Sequence, residues 1–398
     1  MELLLYLYIL IVVYLFFKYS RIRTLYIFSP YILIYLNFIF NDAIPFLFFY
    51  PDVPENIQYT TFTAAIINLS FLFLFRKQAQ VPISINLPLS SIELNKKRKI
   101  LLSCFVFFLL WAGVMSGVLI NLLRGNNIED LRRTSEIGVG VIRDIPMLGI
   151  QIIMLVLFLQ KTWKCYYKVV AFYSFCLSVF LFLTTGNKGG VLVGVTLFLL
   201  FFHLKKRGFK WYEYVLYYLA MPLAAGTLQG IRGGDLTLIA SQIAVFFSYP
   251  VILYQANSIP IMNAVGTENF FWGEEYYTGL VKFIPRFLWP DKPLSFDYKL
   301  KELANYDFEG GGIYTTLCND LYINFGYYYF IFYILWLLFI HYLYGMVMDD
   351  KRFYYSRIIA LFIILMGGIA STIGSCEILL LFLLFLILQY FGKFLPIN

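Results

Sequence analysis

The sequence predicts an all-α, polytopic membrane protein with about eleven transmembrane helices. These form a single transmembrane domain over residues 1–398, with two sizeable external loops. Three observations predict it. First, 61% of the 398 residues are hydrophobic and only 14% charged, with a mean hydropathy of +0.74. A soluble domain carries about a quarter charged residues, and no single core of this size hides so much apolar surface. Second, apolar runs of roughly 17–25 residues, the length that crosses a bilayer as helix, recur along the chain. Third, the connections between those runs alternate sharply between cation-rich and acid-rich.

In chain order the spanning runs lie near 3–17, 24–40, 58–75, 100–122, 146–160, 168–184, 190–203, 214–228, 321–345, 357–374 and 377–392. The first lacks a basic start and a small-residue cleavage site, so it is expected to remain as a helix and not to be removed as a signal peptide. The run 236–255 is apolar enough to cross, yet it contains Ser241, Gln242, Ser248 and Pro250. A crossing there would also put Lys351, Arg352 and Arg357 on a short outer loop. It is therefore expected to lie along, or dip into, the outer leaflet.

Orientation follows from charge. The connections with Lys18, Arg21 and Arg23, with Arg76 and Lys77, with Lys96 to Lys99, with Lys161, Lys164 and Lys168, with Lys205 to Lys210, with Lys351, Arg352 and Arg357, and with Lys393 hold 20 of the 31 Lys and Arg. They hold only four of the 23 acids: Glu93, Glu213, Asp349 and Asp350. Short cation-rich loops stay in the cytoplasm, which predicts an external N-terminus and a cytoplasmic C-terminus. The same bias accounts for the net charge of +8 without a nucleic-acid partner. The five cysteines, Cys104, Cys165, Cys176, Cys318 and Cys376, include no CxxC pair, so neither a zinc site nor a disulfide framework is expected. They suit small apolar positions inside helices.

Two external loops remain. The first, about 123–145, is LRGNNIEDLRRTSEIGVGVIRDI, in which Arg124, Arg132, Arg133 and Arg143 are balanced by four acids. The second, about 229–320, contains FIPRFLWPDKP at 283–293. Cations are disfavoured outside, yet Lys188 (in TTGNKGG), Arg232 (in GIRGGD), Lys282, Arg286 and Lys292 all map there. Pro285, Pro290 and Pro293 stiffen their segment by fixing φ, and Phe287, Leu288 and Trp289 suit headgroup depth. A segment so held can present Arg286 and Lys292 to a pyrophosphate. The plainer alternative is that these cations reach lipid headgroups or pair with Asp291 and Glu302.

Where the large loop enters the ninth helix, the chain reads TTLCNDLYINFG. Asn319 and Asp320 both suit a helix cap. Equally, a carboxylate at a water–lipid boundary can take a proton from a sugar hydroxyl. His203 and His341 fall at cytoplasmic helix ends, which removes them as external bases. No outward-facing acid or histidine group has ligand spacing, so no metal is expected.

In order, TTGNKGG, GIRGGD, IPRFLWPDKP (284–293) and DLYINFG (320–326) resemble the Wzy-type polymerases, the O-antigen and polysaccharide repeat-unit polymerases of bacterial cell membranes. The likeness follows the whole topology and is sharpest over the last two motifs. Two departures stand out: Gly186-Asn187-Lys188 replaces a common glycine–serine–arginine element, and Asp320 stands where Glu is more frequent. The resemblance implies a fold similar to the multi-helix lipid-sugar glycosyltransferases and O-antigen ligases, working in the bacterial inner membrane without a cofactor. It implies undecaprenyl-pyrophosphate-linked oligosaccharides as substrates, membrane lipids as surroundings, and a chain-length regulator and a flippase as partners. On this reading Asp320, Arg286 and Arg232 are catalytic, and Lys188, Lys292, Arg132, Arg133 and Arg143 bind substrate. A flippase or transporter of the same lipids would place ionisable groups inside the spans, where few are seen. An O-antigen ligase-like transferase would be favoured by an external histidine, and the large loop has none.

Overall fold

The structure is a computed structural model that describes residues 2–22, 30–75, 248, 250–281, 284, 288–293, 296–306, 315–349, 360, 361, 363 and 364. The chain divides into two compact units, 1–85 with 248–284 and 290–398, and 86–247 with 285–289. The described residues belong to the first unit, apart from Leu288 and Trp289.

Among the described residues the regular elements are all helical, with no strand. They are α1 (Glu2–Ile22), α2 (Pro30–Phe38), α3 (Ile44–Phe49), α4 (Glu55–Leu74), α5 (Ile259–Val265), α6 (Glu274–Val281), α7 (Phe296–Leu303), α8 (Leu317–Phe325) and α9 (Tyr329–Met348). A π-helical turn, Ile39–Ala43, joins α2 to α3, and a second, Tyr254–Ser258, leads into α5. A 3-10 turn, Gly326–Tyr328, joins α8 to α9. Among the described residues two helical stretches are long and apolar enough to cross a membrane: Glu55–Leu74, and Leu317–Met348 taken as one.

Apolar spacing explains the packing. α1 buries Leu5, Tyr8 and Val12, a stripe spaced by three and four residues, while Leu3, Leu7 and Leu10 stay exposed. α4 buries Ile57, Ala64, Ala65, Phe71 and Leu72 with Thr60, Thr61 and Asn68, and packs against α1, α8 and α9. α8 touches α4, α5 and α9, so a helix of nine residues is closed in from several sides.

Both π-turns stand two residues before a proline, and that proline explains them. Proline has no N–H and its ring collides with the carbonyl four residues back. For Pro45 that carbonyl is on Asn41, and for Pro260 it is on Ala256. Widening the preceding turn relieves the collision. Ile44 N–H then bonds to the Ile39 carbonyl and Ile259 N–H to the Tyr254 carbonyl, five residues back. The freed Ala256 carbonyl accepts from the Tyr306 hydroxyl.

Several expected boundaries move. The second helical stretch does not stop at 40 but continues to Phe49. Asn41 and Asp42 read as a loop, yet the Asn41 amide is satisfied by Asn37 one turn back and Asp42 turns inward. The stretch expected to end at 255 is helical at 250–253 and runs through its π-turn to Val265. The large loop is not loop throughout, because α5, α6 and α7 lie within it. The entering helix begins at Leu317, four residues before the expected start, for the reason given next.

Candidate functional site

Thr316 is the residue that caps α8. Its backbone is extended (φ −81°, ψ 159°) and its hydroxyl accepts from Asn319 N–H at 3.4 Å, while Asp320 N–H bonds to the Thr316 carbonyl at 2.8 Å. This overturns the capping alternative for Asn319 and Asp320, which both lie inside the helix. Asp320 is also enclosed by the protein and not open to its surface. Leu317 to Asn324 are all buried, and Asp320 is only 2% exposed.

Three polar side chains, Asn319, Asp320 and Asn324, thus sit within an enclosed helix, where each polar atom needs a partner. Asn324 supplies two bonds: its Nδ2 donates to Glu275 Oε2 at 2.8 Å and to the Asp320 carbonyl oxygen at 3.0 Å. Glu275, in the first turn of α6, is itself buried, and Thr278 donates to its carbonyl at 2.9 Å. The adjacent Glu274 pairs with Lys299, which ties α6 to α7.

On the α4 side, Thr60 Oγ1 stands 3.0 Å from Asn319 Oδ1 and 3.0 Å from the Ile57 carbonyl oxygen. One hydroxyl proton cannot serve two acceptors. Turning the Asn319 amide over lets its nitrogen donate to Thr60 while Thr60 donates to Ile57, and it removes an otherwise unpartnered buried Nδ2. Tyr329 closes this corner by donating to the Thr60 carbonyl at 2.8 Å.

Tyr276 completes the arrangement. Its ring stacks on Phe325 (5.7 Å between centroids), which stacks on Phe332 in turn. Burial pushes the Tyr276 phenol well above its ordinary range, and the carboxyls of Asp320 and then Glu275 push it the same way. Its buried hydroxyl has no hydrogen-bond partner among the described residues. The same ring lines a groove of about 320 Å³ with Leu321, Phe325, Phe332, Leu335, Trp336 and Phe339. Tyr276 thus joins that apolar groove to the two buried carboxyls, and a carboxylate beside a phenol is a pair able to orient a hydroxyl and accept its proton.

The backbone around α8 is fixed by a loop. Asn56 Nδ2 donates to the Met262 carbonyl at 2.7 Å and the Gly266 carbonyl at 3.2 Å, and Tyr322 donates to that same Gly266 oxygen at 3.2 Å. Phe271 N–H bonds to the Ile323 carbonyl at 3.1 Å, satisfying one of the acceptors a helix end leaves open.

Of the candidate catalytic and substrate-binding residues, Asp320 and Lys292 are described. Lys292 Nζ donates to the Ile284 carbonyl at 2.9 Å, closing the 284–292 segment on itself. Arg286, Arg232, Lys188, Arg132, Arg133 and Arg143 lie outside the described residues. Cys318 is buried and unbridged, as a small apolar filler would be. His341 packs its ring on Phe75, 4.0 Å between centroids. Sequence reasoning missed Glu275, Tyr276 and Asn324. Asp320 and Asn324 stand four apart, a spacing that shares one helix face, but EEYY gave no sign of facing inward. Compared with the chain, no family model, curated protein or solved structure gives a match.

Proposed function

We propose that the protein is a polymerase of lipid-linked oligosaccharide repeat units. It would join undecaprenyl-pyrophosphate-linked units at the outer face of a bacterial cell membrane, with its N-terminus outside and its C-terminus in the cytoplasm. The observation that carries this reading is the position of Asp320. It sits on the helix formed by the DLYINFG segment, beside Tyr276 and the Asn324–Glu275 pair, at one end of a stretch able to cross a membrane. In the reaction a non-reducing-end hydroxyl of a new unit attacks the anomeric carbon of the growing chain. The bond to the lipid pyrophosphate breaks, and the hydroxyl proton passes to Asp320. Direct displacement inverts the anomeric centre. Arg232 and Arg286, assisted by Lys188 and Lys292, neutralise the departing pyrophosphate in place of a metal ion, and Arg132, Arg133 and Arg143 hold the second phosphate or the sugar chain.

Because Asp320 is closed off, the acceptor must open a way to it. The test is chain extension by purified protein in lipid nanodiscs with a synthetic lipid-linked repeat unit. Product ladders are expected from the wild type and not from Asp320→Asn. Wild-type protein that moves the lipid across a liposome membrane without lengthening it overturns the reading in favour of a flippase. Transfer to a lipid A core overturns it in favour of a ligase. One observation favours the flippase: Asp42 is an ionisable group buried inside the helical bundle, of the kind transport requires.

A further inference from the structure

Asp42 has no part in that reaction, and its surroundings pose a distinct problem. It is 3% exposed and lies in the π-turn between α2 and α3. One carboxyl oxygen, Oδ1, has no hydrogen-bond partner among the described residues. The Thr316 hydroxyl lies within hydrogen-bonding reach of the carboxyl. That hydroxyl already accepts from Asn319 N–H, so its own proton is available to donate.

The other titratable groups that sense Asp42 are Tyr8 from α1, Cys318 from α8, and Tyr329 and Tyr333 from α9. Each of these groups is neutral. Among the described residues no lysine, arginine or histidine reaches Asp42. An ionised carboxylate in this setting would be an unpaired buried charge, which proteins avoid by neutralising the group or pairing it.

We propose that Asp42 is a proton-binding site inside the bundle, occupied at mildly acidic pH and emptied as the pH rises past neutrality. The carboxyl holds its proton on one oxygen and accepts from Thr316 on the other, with release giving carboxylate and a free proton. Since Thr316 also caps α8, the site touches the helix that carries Asp320. π-Turns recur at functional positions, and this one places Asp42 where the helix widens. The inference stands apart from the polymerase reading and needs no activity for its test.

The test is infrared spectroscopy of the full chain in nanodiscs, labelled with carbon-13 aspartate, comparing wild type with Asp42→Asn. A protonated-carboxyl band present in the wild type at about pH 6, well above the ordinary carboxyl range, shifted by the label and missing from the variant, is the expected result. A wild type without that band at about pH 6 overturns the proposal. Thermal unfolding gives a second reading. The unfolded carboxyl releases its proton above its ordinary pKa of about 4, whereas burial holds the folded one up to about 7, so between those values the folding equilibrium weakens about tenfold per pH unit. The wild type is expected to lose stability as pH rises from about 5, and Asp42→Asn to lose less. Stability of the wild type that depends on sodium and not on pH, and that disappears in the variant, overturns the proposal in favour of a bound cation. Should Asp42→Asn not fold, Thr316→Val carries the test: loss of its hydrogen bond moves the band, and an unmoved band removes Asp42 as its source.

Discussion

Gly326 ends the DLYINFG segment in a conformation that only glycine holds cheaply. Its φ is +57° and ψ −137°, outside the regions open to a residue with a Cβ. Space is equally short. A Cβ there would stand 2.6, 2.7 and 2.8 Å from the Cε2, Cζ and Cδ2 atoms of Phe270. That ring is hemmed in by Trp272, Tyr322 and Tyr327, with centroids 6.1, 5.5 and 6.4 Å away, so it cannot swing aside alone. Gly326→Ala therefore adds two costs, about 1–3 kcal/mol for the strained backbone and about 1–3 kcal/mol for overpacking. The sum, about 2–6 kcal/mol, is large against ordinary marginal stability. The assay is thermal unfolding in detergent, with the double variant Phe270→Ala/Gly326→Ala run alongside Phe270→Ala. Removing the ring should return the overpacking share and leave the backbone share, a non-additive cycle. Gly345, in the interior of α9, is the control: a Cβ there meets nothing within 4 Å, and Ala favours helix. Gly326→Ala melting with the wild type, or as mildly as Gly345→Ala, refutes the reasoning.

Thr316→Val removes the α8 cap and should cost about 0.5–2 kcal/mol in thermal unfolding, with Thr316→Ser recovering most of it. Asn324→Ala takes a donor from the buried Glu275 carboxyl and should cost about 1–3 kcal/mol by the same measurement. Tyr276→Phe discards a hydroxyl that has no hydrogen-bond partner among the described residues, so its melting point should hold or rise; if that hydroxyl serves substrate, chain extension falls at the same time. Lys299→Ala breaks a pair whose side chains are 37% and 31% exposed, and should change stability by no more than about 1 kcal/mol, an effect weakened further by salt.

The helical character of the described residues was legible because length and composition leave few solutions for such an apolar chain: α4 and the α8–α9 stretch, the two long enough to cross a membrane, were located within four residues of their starts. Element ends were less legible, since they depend on where polar side chains find partners. Asn41 looks like loop until Asn37 is seen one turn below it. Thr316 was overlooked as a cap because Asn319 and Asp320 suit that role equally well by residue type. The site was legible only in its sequence-local half. Asp320 and Asn324 share a helix and a face, but Glu275 arrives from α6, and no spacing rule joins positions 49 residues apart. Tyr276 was concealed among 33 tyrosines, which residue type alone cannot sort into lipid-facing and inward-facing rings.

Prolines explain more of the remainder than apolar periodicity does. A proline inside a helix ordinarily breaks or kinks it, yet Pro45 and Pro260 each set a π-turn two residues upstream and leave the helix running. A wider turn holds an extra residue, so it can bring inward a side chain that strict 3.6-residue phasing would share with the surface. In the first turn that side chain is Asp42, and in the second it is Ser258, both buried. Pro45 thus accounts for a carboxyl in the bundle. Pro45→Ala restores the missing N–H and removes the collision with the Asn41 carbonyl, so the reason for the wide turn goes with it. Asp42 should then be less well enclosed, and its carboxyl should meet Thr316 less closely. A protonated-carboxyl band that is unchanged in Pro45→Ala would show that the proline does not place Asp42.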